Sequence, residues 1–307
     1  MLLKEVLDLF ELLDTPAACG ETAKQLLLEN GADEVTVTTI EGAKGSNGKS
    51  SGGTAPTLGI IGRLGGLGAR PAMIGFVSDG DGALAALAAG LKLAKMHRNG
   101  DVLEGDVIVA THICPDAPTQ EHFPVPFMGS PISMVQCNMA EVDERMDAIL
   151  SIDTTKGNRV INLNGIAISN TVKEGYILEV SNDLMDIYTT VTGKLPAIFP
   201  LAQQDITPYG NDLHHINSIL QPAVVTNAPV VGVAITAEMP TAGCATGASR
   251  PVDVETAARY AVEVAKFYGA GKCQFYSQGE FDHLIKLYGP MSRFQTFGEG
   301  MPVNEND

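Results

Sequence analysis

Apolar segments of strand length alternate with helical patterns in the first half of the chain. A glycine-interrupted helix is predicted up to about residue 67, followed by a strand at 73–77, an Ala/Leu-rich helix at 83–96 and a strand at 106–110. A helix that connects two strands of one sheet returns the chain to the same edge, so the strands run parallel. We therefore predict an α/β fold of three layers, with a largely parallel or mixed central sheet and helices on both faces.

The remaining segments extend this pattern. Further strands are predicted at 35–40, 148–152, 166–169 and 230–235, and further helices at 178–191, 253–268 and 278–287. Residues 1–31 carry two helical segments that predict an N-terminal helical hairpin, and the acidic tail 298–307 is expected to fray. No long polar run divides the chain, so we predict a single α/β domain over residues 1–307.

Acidic residues outnumber basic ones by a wide margin. Lys and Arg total 20 against 36 Asp and Glu, which gives a net charge of −16. This charge repels phosphate groups, so neither nucleic acid nor an anionic membrane surface is expected as a partner. There is no apolar run of membrane-spanning length and no signal-peptide pattern, which predicts a cytoplasmic protein. The five cysteines are scattered and odd in number, which predicts reduced thiols.

Acidic residues or a histidine follow three of the predicted strands. They are Asp79 and Asp81 after the strand at 73–77, His112 and Asp116 after that at 106–110, and Asp153 after that at 148–152. Ligands of open α/β sheets bind beyond the carboxyl ends of the strands, where loops and helix N-termini meet. These five side chains are therefore expected at one edge of the sheet.

The chemistry of these residues indicates a metal site. Asp79, His112 and Asp153 are candidate ligands of a divalent metal, zinc or manganese, because carboxylate oxygens and imidazole nitrogens bind such ions. Asp116 is the candidate general base, and Asp81 is a candidate substrate-binding residue. The alternative for Asp79 or Asp81 is an N-cap of the following helix.

Four further polar residues are candidates for substrate binding. They are Lys49, Asp212, His214 and Arg250. Lys49 lies in the glycine-rich segment GSNGKS, which departs from the phosphate-loop spacing because Ala43 stands where that pattern requires glycine. Lys49 can still bind a carboxylate or phosphate group, and Arg250 can clamp a substrate carboxylate. For His214 the alternative is a capped surface helix.

Several longer segments carry a resemblance to a known family. They include NGKSSGGTAPTLGIIGRLGGLGARP, GDVIVATHICPDAPT, SIDTTKGN, QDITPYGN, SILQPAVVTNAPVVGVAITAEMP and GCATGAS. Over nearly the whole chain the sequence resembles the prokaryotic family catalogued as domain of unknown function 1177. The resemblance implies little chemistry, because no activity is established for that family.

The order of the motifs is also similar to that of the zinc-dependent exopeptidase (aminopeptidase) fold. Asp79 with Gly82 matches the metal-bridging aspartate of that fold, Asp153 matches the second-metal aspartate, and Asp212 lies in a Gly-Asn-Asp turn that resembles a late Gly-Thr-Asp turn. The segment from His112 to Asp116 stands in place of its Glu-Glu pair, and GCATGAS stands in place of its final ligand histidine.

Two functional hypotheses follow. The first is a metal-assisted hydrolase or related enzyme that acts on a small amide-containing or carboxylate-containing substrate. The second is a metal-free protein that binds a small anionic ligand through Lys49 and Arg250, which the missing Glu-Glu pair favours. The Met- and Leu-bearing helices at the two ends of the chain predict a homodimer, because they offer more apolar surface than one domain needs.

Overall fold

A mixed sheet of eight strands forms the centre of the fold. The computed structural model describes residues 2–36, 39–41, 45–63, 66–69, 74–121, 127–240 and 249–296. The strands are β1 (Glu34–Val35), β2 (Thr39–Glu41), β3 (Leu58–Gly62), β4 (Val107–Thr111), β5 (Thr119–Gln120), β6 (Phe127–Met128), β7 (Ala148–Thr154), β8 (Gly165–Lys173), β9 (Tyr176–Ile177) and β10 (Val230–Thr236). The helices are α1 (Leu3–Leu13), α2 (Gly20–Glu29), α3 (Asp81–Arg98), α4 (Met134–Glu141), α5 (Asn182–Thr192), α6 (Pro251–Gly269) and α7 (Gln278–Tyr288).

The centre of the sheet is parallel and its two sides are antiparallel. The strand order is β1-β2-β4-β3-β7-β10-β8-β9, and β5 pairs with β6 in a separate ribbon. β3 pairs in parallel with both β4 and β7, and β7 pairs in parallel with β10. The outer strands β1, β2, β8 and β9 all pair antiparallel. The predicted mixed α/β class is confirmed.

Helices and short turns bury both faces of the sheet. The apolar core on one face contains residues of α1, α3, α5 and α6, and every residue of α3 from Asp81 to Leu91 is buried. A smaller apolar core lies on the other face, beside α4 and the 3-10 turns Gln203–Ile206 and Gln221–Val224. Burial on both faces explains why the parallel strands are continuous apolar runs rather than alternating ones.

The beginning of α3 lies directly against the ends of β3 and β7. A Cβ atom on Gly82 would lie 2.6 Å from the carbonyl oxygen of Ile152 and 2.7 Å from that of Arg63. A Cβ atom on Gly62 would in turn lie 2.6 Å from the carbonyl oxygen of Gly82. Only glycine allows the two backbones to approach this closely. The acidic turn that precedes α3 is thereby held at the carboxyl edge of the sheet.

Some elements differ from the sequence predictions. The helix predicted up to residue 67 is wrong, because residues 58–62 form β3, whose five residues are all buried. The strand predicted at 73–77 is also wrong, since residues 74–77 form no strand. The single strand predicted at 35–40 is instead the antiparallel pair β1 and β2, and α4 was not predicted. The two helices predicted within residues 1–31 are present as α1 and α2.

The tail at 298–307 lies outside the described residues. Across the described part of the chain, no helix combines the length and the apolar character that crossing a membrane requires.

Candidate functional site

Arg63, His112 and Asp153 lie side by side at the carboxyl edge of the sheet. Gly62 at the end of β3 is in register with Thr111 of β4 and with Ile152 of β7. The next residue of each chain segment is therefore Arg63, His112 or Asp153. Because parallel strands in register direct equivalent residues to the same face, Arg63 lies between the other two. Two strand spacings, about 10 Å, separate the backbones of His112 and Asp153.

Glu141 joins His112 and Arg63 into one hydrogen-bonded cluster. Its Oε1 lies 2.5 Å from Nδ1 of His112, and its Oε2 accepts a hydrogen bond from Nη1 of Arg63. The side chains of Arg63 and Glu141 are 1% and 2% exposed, whereas that of His112 is 27% exposed. The pair Arg63–Glu141 is thus a buried ion pair, and His112 connects it to the surface.

The position of Glu141 depends on how α4 begins. Ser133 is the N-cap of α4, and its hydroxyl accepts a hydrogen bond from Gln136 N while the Gln136 side chain accepts one from Ser133 N. This reciprocal capping fixes the start of the helix. Met134 and Glu141, seven residues apart, then lie on one face, and both contact the Arg63 guanidinium.

Three buried polar atoms next to this cluster have no partner among the described residues. They are Nε of Arg63 and both Oδ1 and Nδ2 of Asn138. Asn138 lies one turn before Glu141 on α4 and is 0% exposed. Buried polar groups are almost always hydrogen-bonded to protein or to ordered water. The cluster therefore has unfilled capacity to bind water or a polar group.

A second charged cluster forms around the start of α3. The Lys156 ammonium lies 3.2 Å from Oδ2 of Asp81, and the Ser249 hydroxyl donates to Oδ1 of Asp81 at 2.5 Å. Asp81 is 0% exposed, and burial raises its pKa to about 6, although Lys156 and Ser249 act in the opposite direction. Asp79 accepts a hydrogen bond from Met128 N at 3.3 Å, and burial raises the pKa of this carboxyl as well.

Asp153 lies within electrostatic range of both clusters. Its Oδ1 accepts from Thr154 N at 2.7 Å, and its Oδ2 accepts from the Ser218 hydroxyl at 2.8 Å. Burial raises the pKa of Asp153 to about 7; the charge of Asp79 adds to this rise, while Ser218 and Arg63 lower the pKa. The fields of both Arg63 and Asp79 therefore act on this carboxyl.

These side chains do not fit a divalent metal ion. In the part of the chain that the structure describes, no three His, Cys, Asp or Glu side chains are grouped so as to hold one. His112 Nδ1 is bound to Glu141, both carboxyl oxygens of Asp153 accept hydrogen bonds, and Arg63 lies between them. Among the described residues, Arg63 and Lys156 supply cations at this edge. The ligand roles of Asp79, His112 and Asp153 stay a prediction, without support from the geometry.

Lys49 is not brought to the carboxyl edge. Its ammonium lies 2.6 Å from Oδ1 of Asp147, which immediately precedes β7 and so marks the amino edge. The glycine-rich loop surrounds an internal carboxylate instead of a phosphate, because Gly45 N and Ser50 N donate to Asp106 at 2.9 and 2.8 Å. A Cβ atom on Gly48 would lie 2.0 Å from Oδ1 of Asp106, which explains this glycine.

The remaining candidates lie away from the buried clusters. Asp116 is exposed beside Cys114, and Asp212 is exposed with a left-handed backbone (φ 60°). His214 is also exposed, and no helix forms around it. Arg250, half-exposed, pairs with Asp253 at 3.1 Å and donates to Asn164. None of these four has a recorded contact with Asp79, Asp81 or Asp153. Of the segment GCATGAS, only its last residue, Ser249, belongs to the described residues.

The family of the chain is shown by its sequence. A family model described as "Protein of unknown function (DUF1177)" matches residues 28–298, which is most of the 307-residue chain. The chain belongs to this family. No curated protein matches the sequence.

Several solved structures are distantly similar to this DUF1177 chain. The bottromycin maturation enzyme BotP, also solved in complex with Mn, is 15% identical over 85% of this chain and 69% of its own, with a TM-score of 0.46. The YXEP protein of Bacillus subtilis, described as a dinuclear metal binding peptidase from the M20 family, is 11% identical over 87% of this chain and 97% of its own, with a TM-score of 0.46. Leucine aminopeptidase of Caenorhabditis elegans is 14% identical over 86% and 65%, with a TM-score of 0.48. Likeness at this level carries no information about the chemistry of this chain.

Sequence reasoning about this DUF1177 chain missed three residues of the site. The sequence predicts a helix up to residue 67, so Arg63 does not follow a predicted strand, whereas in the structure it directly follows β3. Lys156 follows Asp153 by three residues in the same strand-end loop, so the strand-end rule could have found it. Glu141 gave no local signal, because it lies 29 residues from His112 and reaches it only through the packing of α4.

Proposed function

We propose that this DUF1177 protein is an enzyme that hydrolyses a small amide-containing or carboxylate-containing substrate by general acid–base catalysis, with His112 as the base. The observation that carries the proposal is the contact of 2.5 Å between His112 Nδ1 and the buried Glu141 carboxylate. A carboxylate on one ring nitrogen fixes the tautomer and orientation of the imidazole, and it stabilises the imidazolium that forms when the ring takes a proton.

The role of each group follows from its place. Glu141 accepts the Nδ1 proton, so Nε2 is the nitrogen that takes a proton from an attacking water. Arg63 holds Glu141 in position from the buried side through its Nη1. The partly exposed His112 ring lies where a substrate arriving from solvent can meet it. Arg63 and Asn138 offer buried polar atoms to the water or to a polar group of the substrate.

The cluster around Asp81 and Lys156 provides buried carboxyl groups on the side of Arg63 opposite to His112. Asp79, Asp81 and Asp153 are nearly fully buried and have only Lys156 and Arg63 as recorded cationic neighbours among the described residues. Buried titratable groups with shifted pKa values concentrate at functional sites. Arg63 lies between the two clusters, since the backbones of His112 and Asp153 are two strand spacings, about 10 Å, apart.

A metal-assisted form of the reaction is the second candidate. It would place zinc or manganese at Asp79, His112 and Asp153, and it is favoured by the presence of Asp79 and Asp153, two buried carboxylates, at one edge of the sheet. The donor set described above does not fit this ion. The binding of an anionic ligand through Lys49 and Arg250 finds less support, because Lys49 lies at the opposite edge. The homodimer is retained as part of the proposal.

The test is hydrolysis of a panel of small amides and carboxylate esters, followed by mass spectrometry, with excess chelator or with added manganese or zinc. We expect turnover to persist in chelator, and His112→Gln to lower kcat by about 10²- to 10⁴-fold, the usual contribution of a general base. His283→Gln, an exposed histidine on α7, is the matched control and should leave turnover unchanged.

Two results would reject the acid–base proposal. One is turnover that disappears in chelator and returns with manganese or zinc, which supports the metal-assisted candidate. The other is a His112→Gln protein that keeps the turnover of the unaltered protein.

A further inference from the structure

A cavity of about 710 Å³ lies at the amino edge of the sheet, on the opposite side from the proposed hydrolytic site. Asp147 and Pro229, which precede β7 and β10, line it together with Lys173 at the end of the antiparallel β8. Its volume is within the range of small-molecule sites. None of the residues of the hydrolytic site lines this cavity.

The cationic side chain in the wall of this amino-edge cavity is already neutralised. Lys173 pairs with Glu174 at 2.8 Å and donates to the carbonyl oxygen of Asn227 at 2.7 Å. Its ammonium also lies 5.4 Å from the centre of the Tyr276 ring. An incoming anion would have to compete with Glu174 for this ammonium. Lys173 is therefore a structural cation and a poor anion receptor.

The acidic side chains of the cavity leave one carboxylate uncompensated. Asp147 is paired with Lys49. Glu144 also lines the cavity, is exposed, and has no recorded ion pair with any residue that the structure describes. With each other charge in the wall matched by a partner, Glu144 makes the cavity an acceptor of positive charge.

The remaining wall is suited to an organic cation. Tyr268 lines the cavity, and aromatic faces attract ammonium and guanidinium groups. Tyr276, whose ring already lies near the Lys173 ammonium, provides ring surface for the body of a ligand. Tyr268 also belongs to the last turn of α6, a helix of 19 residues whose carboxyl end carries partial negative charge. Val142, Met146 and Pro229 provide apolar contacts for the body of such a ligand.

We propose that the amino-edge cavity is a second ligand site, which binds a small organic cation with an aromatic or apolar body. Glu144 is the counter-ion of the ligand. The ring of Tyr268 contacts the charged group of the ligand, and the ring of Tyr276 contacts its body. The two sites lie at opposite ends of β7, so a ligand of this cavity leaves the hydrolytic site open. This inference does not depend on the proposed hydrolysis.

The test uses three probes that share one ring and differ in charge. They are tyramine, its neutral alcohol analogue tyrosol, and the anion 4-hydroxyphenylacetate, each titrated calorimetrically into the full-length protein at low salt. We expect tyramine to bind at least about tenfold more tightly than tyrosol, the ratio that corresponds to about 1.4 kcal/mol of charge recognition. 4-Hydroxyphenylacetate should not bind measurably.

Three variants locate the binding. Glu144→Gln should weaken tyramine binding about tenfold and leave tyrosol binding unchanged, whereas Glu11→Gln, an exposed glutamate on α1, should change neither. Asp153→Asn, at the other end of β7, should also leave the dissociation constant of tyramine unchanged. Equal binding of tyramine and tyrosol, no binding of tyramine, or loss of tyramine binding in Asp153→Asn instead of Glu144→Gln would each overturn the inference.

Discussion

The Glu141 carboxylate accepts from His112 Nδ1 at 2.5 Å while it also pairs with the Arg63 guanidinium, and it does so with 2% of its side chain exposed. Glu141 therefore has two functions. It compensates a buried positive charge, and it orients an imidazole that is partly open to solvent. These two functions can be separated experimentally, because the first affects stability and the second affects the histidine.

Removal of Glu141 should destabilise the protein strongly. Glu141→Ala leaves the Arg63 charge buried and unpaired, which costs about 3–5 kcal/mol of unfolding free energy in comparable ion pairs. Glu144→Ala, an exposed residue three positions later, should change stability by less than about 0.5 kcal/mol. Urea denaturation of both variants measures the difference, and equal stability of the two would show that the Arg63–Glu141 pair does not form.

The contribution of Asp153 and Asp81 to the stability of the protein should fall as the pH rises toward 7. The folded-state pKa of Asp153, about 7, lies above the ordinary aspartate value of 3.8, and that of Asp81, about 6, is shifted in the same direction. An acid whose folded-state pKa is raised favours folding in its protonated form. This contribution is complete below about pH 4 and is lost as the pH rises through about 6 to 7. The loss amounts to a few kcal/mol, because one pKa unit corresponds to about 1.4 kcal/mol.

Asp153→Asn isolates this effect. The amide cannot ionise, so the variant should gain stability relative to the unaltered protein at pH 8 and lose most of that advantage at pH 5. Asp8→Asn, an exposed residue of α1, should follow the unaltered protein at both pH values. Guanidinium unfolding at pH 5 and pH 8 gives the comparison. An Asp153→Asn protein that is less stable at pH 8 would mean that the carboxylate is needed for its hydrogen bonds to Thr154 and Ser218.

The sequence predicted the edge of the sheet at which Asp81 and Asp153 lie. It did not predict the side chains that they contact, such as Lys156 and Ser218. Asp79, Asp81 and Asp153 were expected at the carboxyl edge, and they lie there because strand ends of a parallel sheet share one edge. The prediction for Asp79 was correct in position but wrong in its reason. The strand that precedes α3 is β3, and residues 74–77 form no strand. The short run LGIIG has no period that separates a buried strand from a helix.

The local sequence around Lys49 did not predict what the glycine-rich loop binds. GSNGKS looks like a loop that binds a ligand anion, and the backbone does surround a carboxylate, but that carboxylate is Asp106 of the same chain. Asp106 is 61 residues away from Gly45 in sequence, so only the tertiary structure could show it. The contact between Glu141 and His112 escaped prediction for the same reason.

The loop that contains Lys49 should depend on Asp106 for its order. Asp106→Ala removes the acceptor of Gly45 N, Ser50 N and the Ser50 hydroxyl, and it should cost about 2–4 kcal/mol, because each backbone donor loses its partner. The exposed Asp101→Ala is the control and should have little effect. Thermal unfolding compares the two.

ATP with magnesium should not raise the melting temperature of the unaltered protein. A clear rise would support the phosphate-loop interpretation of Lys49.

We propose that Glu141, and not a metal ion, holds the His112 imidazole. The most direct measurement is the nitrogen NMR spectrum of the histidine side chains in metal-free protein, with Glu141→Gln as the comparison and with manganese and zinc added afterwards. We expect a His112 ring protonated at Nδ1 in the neutral form, loss of this single tautomer in Glu141→Gln, and no specific broadening or shift of its signals by either metal. A ring protonated at Nε2, or His112 signals that respond to one equivalent of metal, would contradict it.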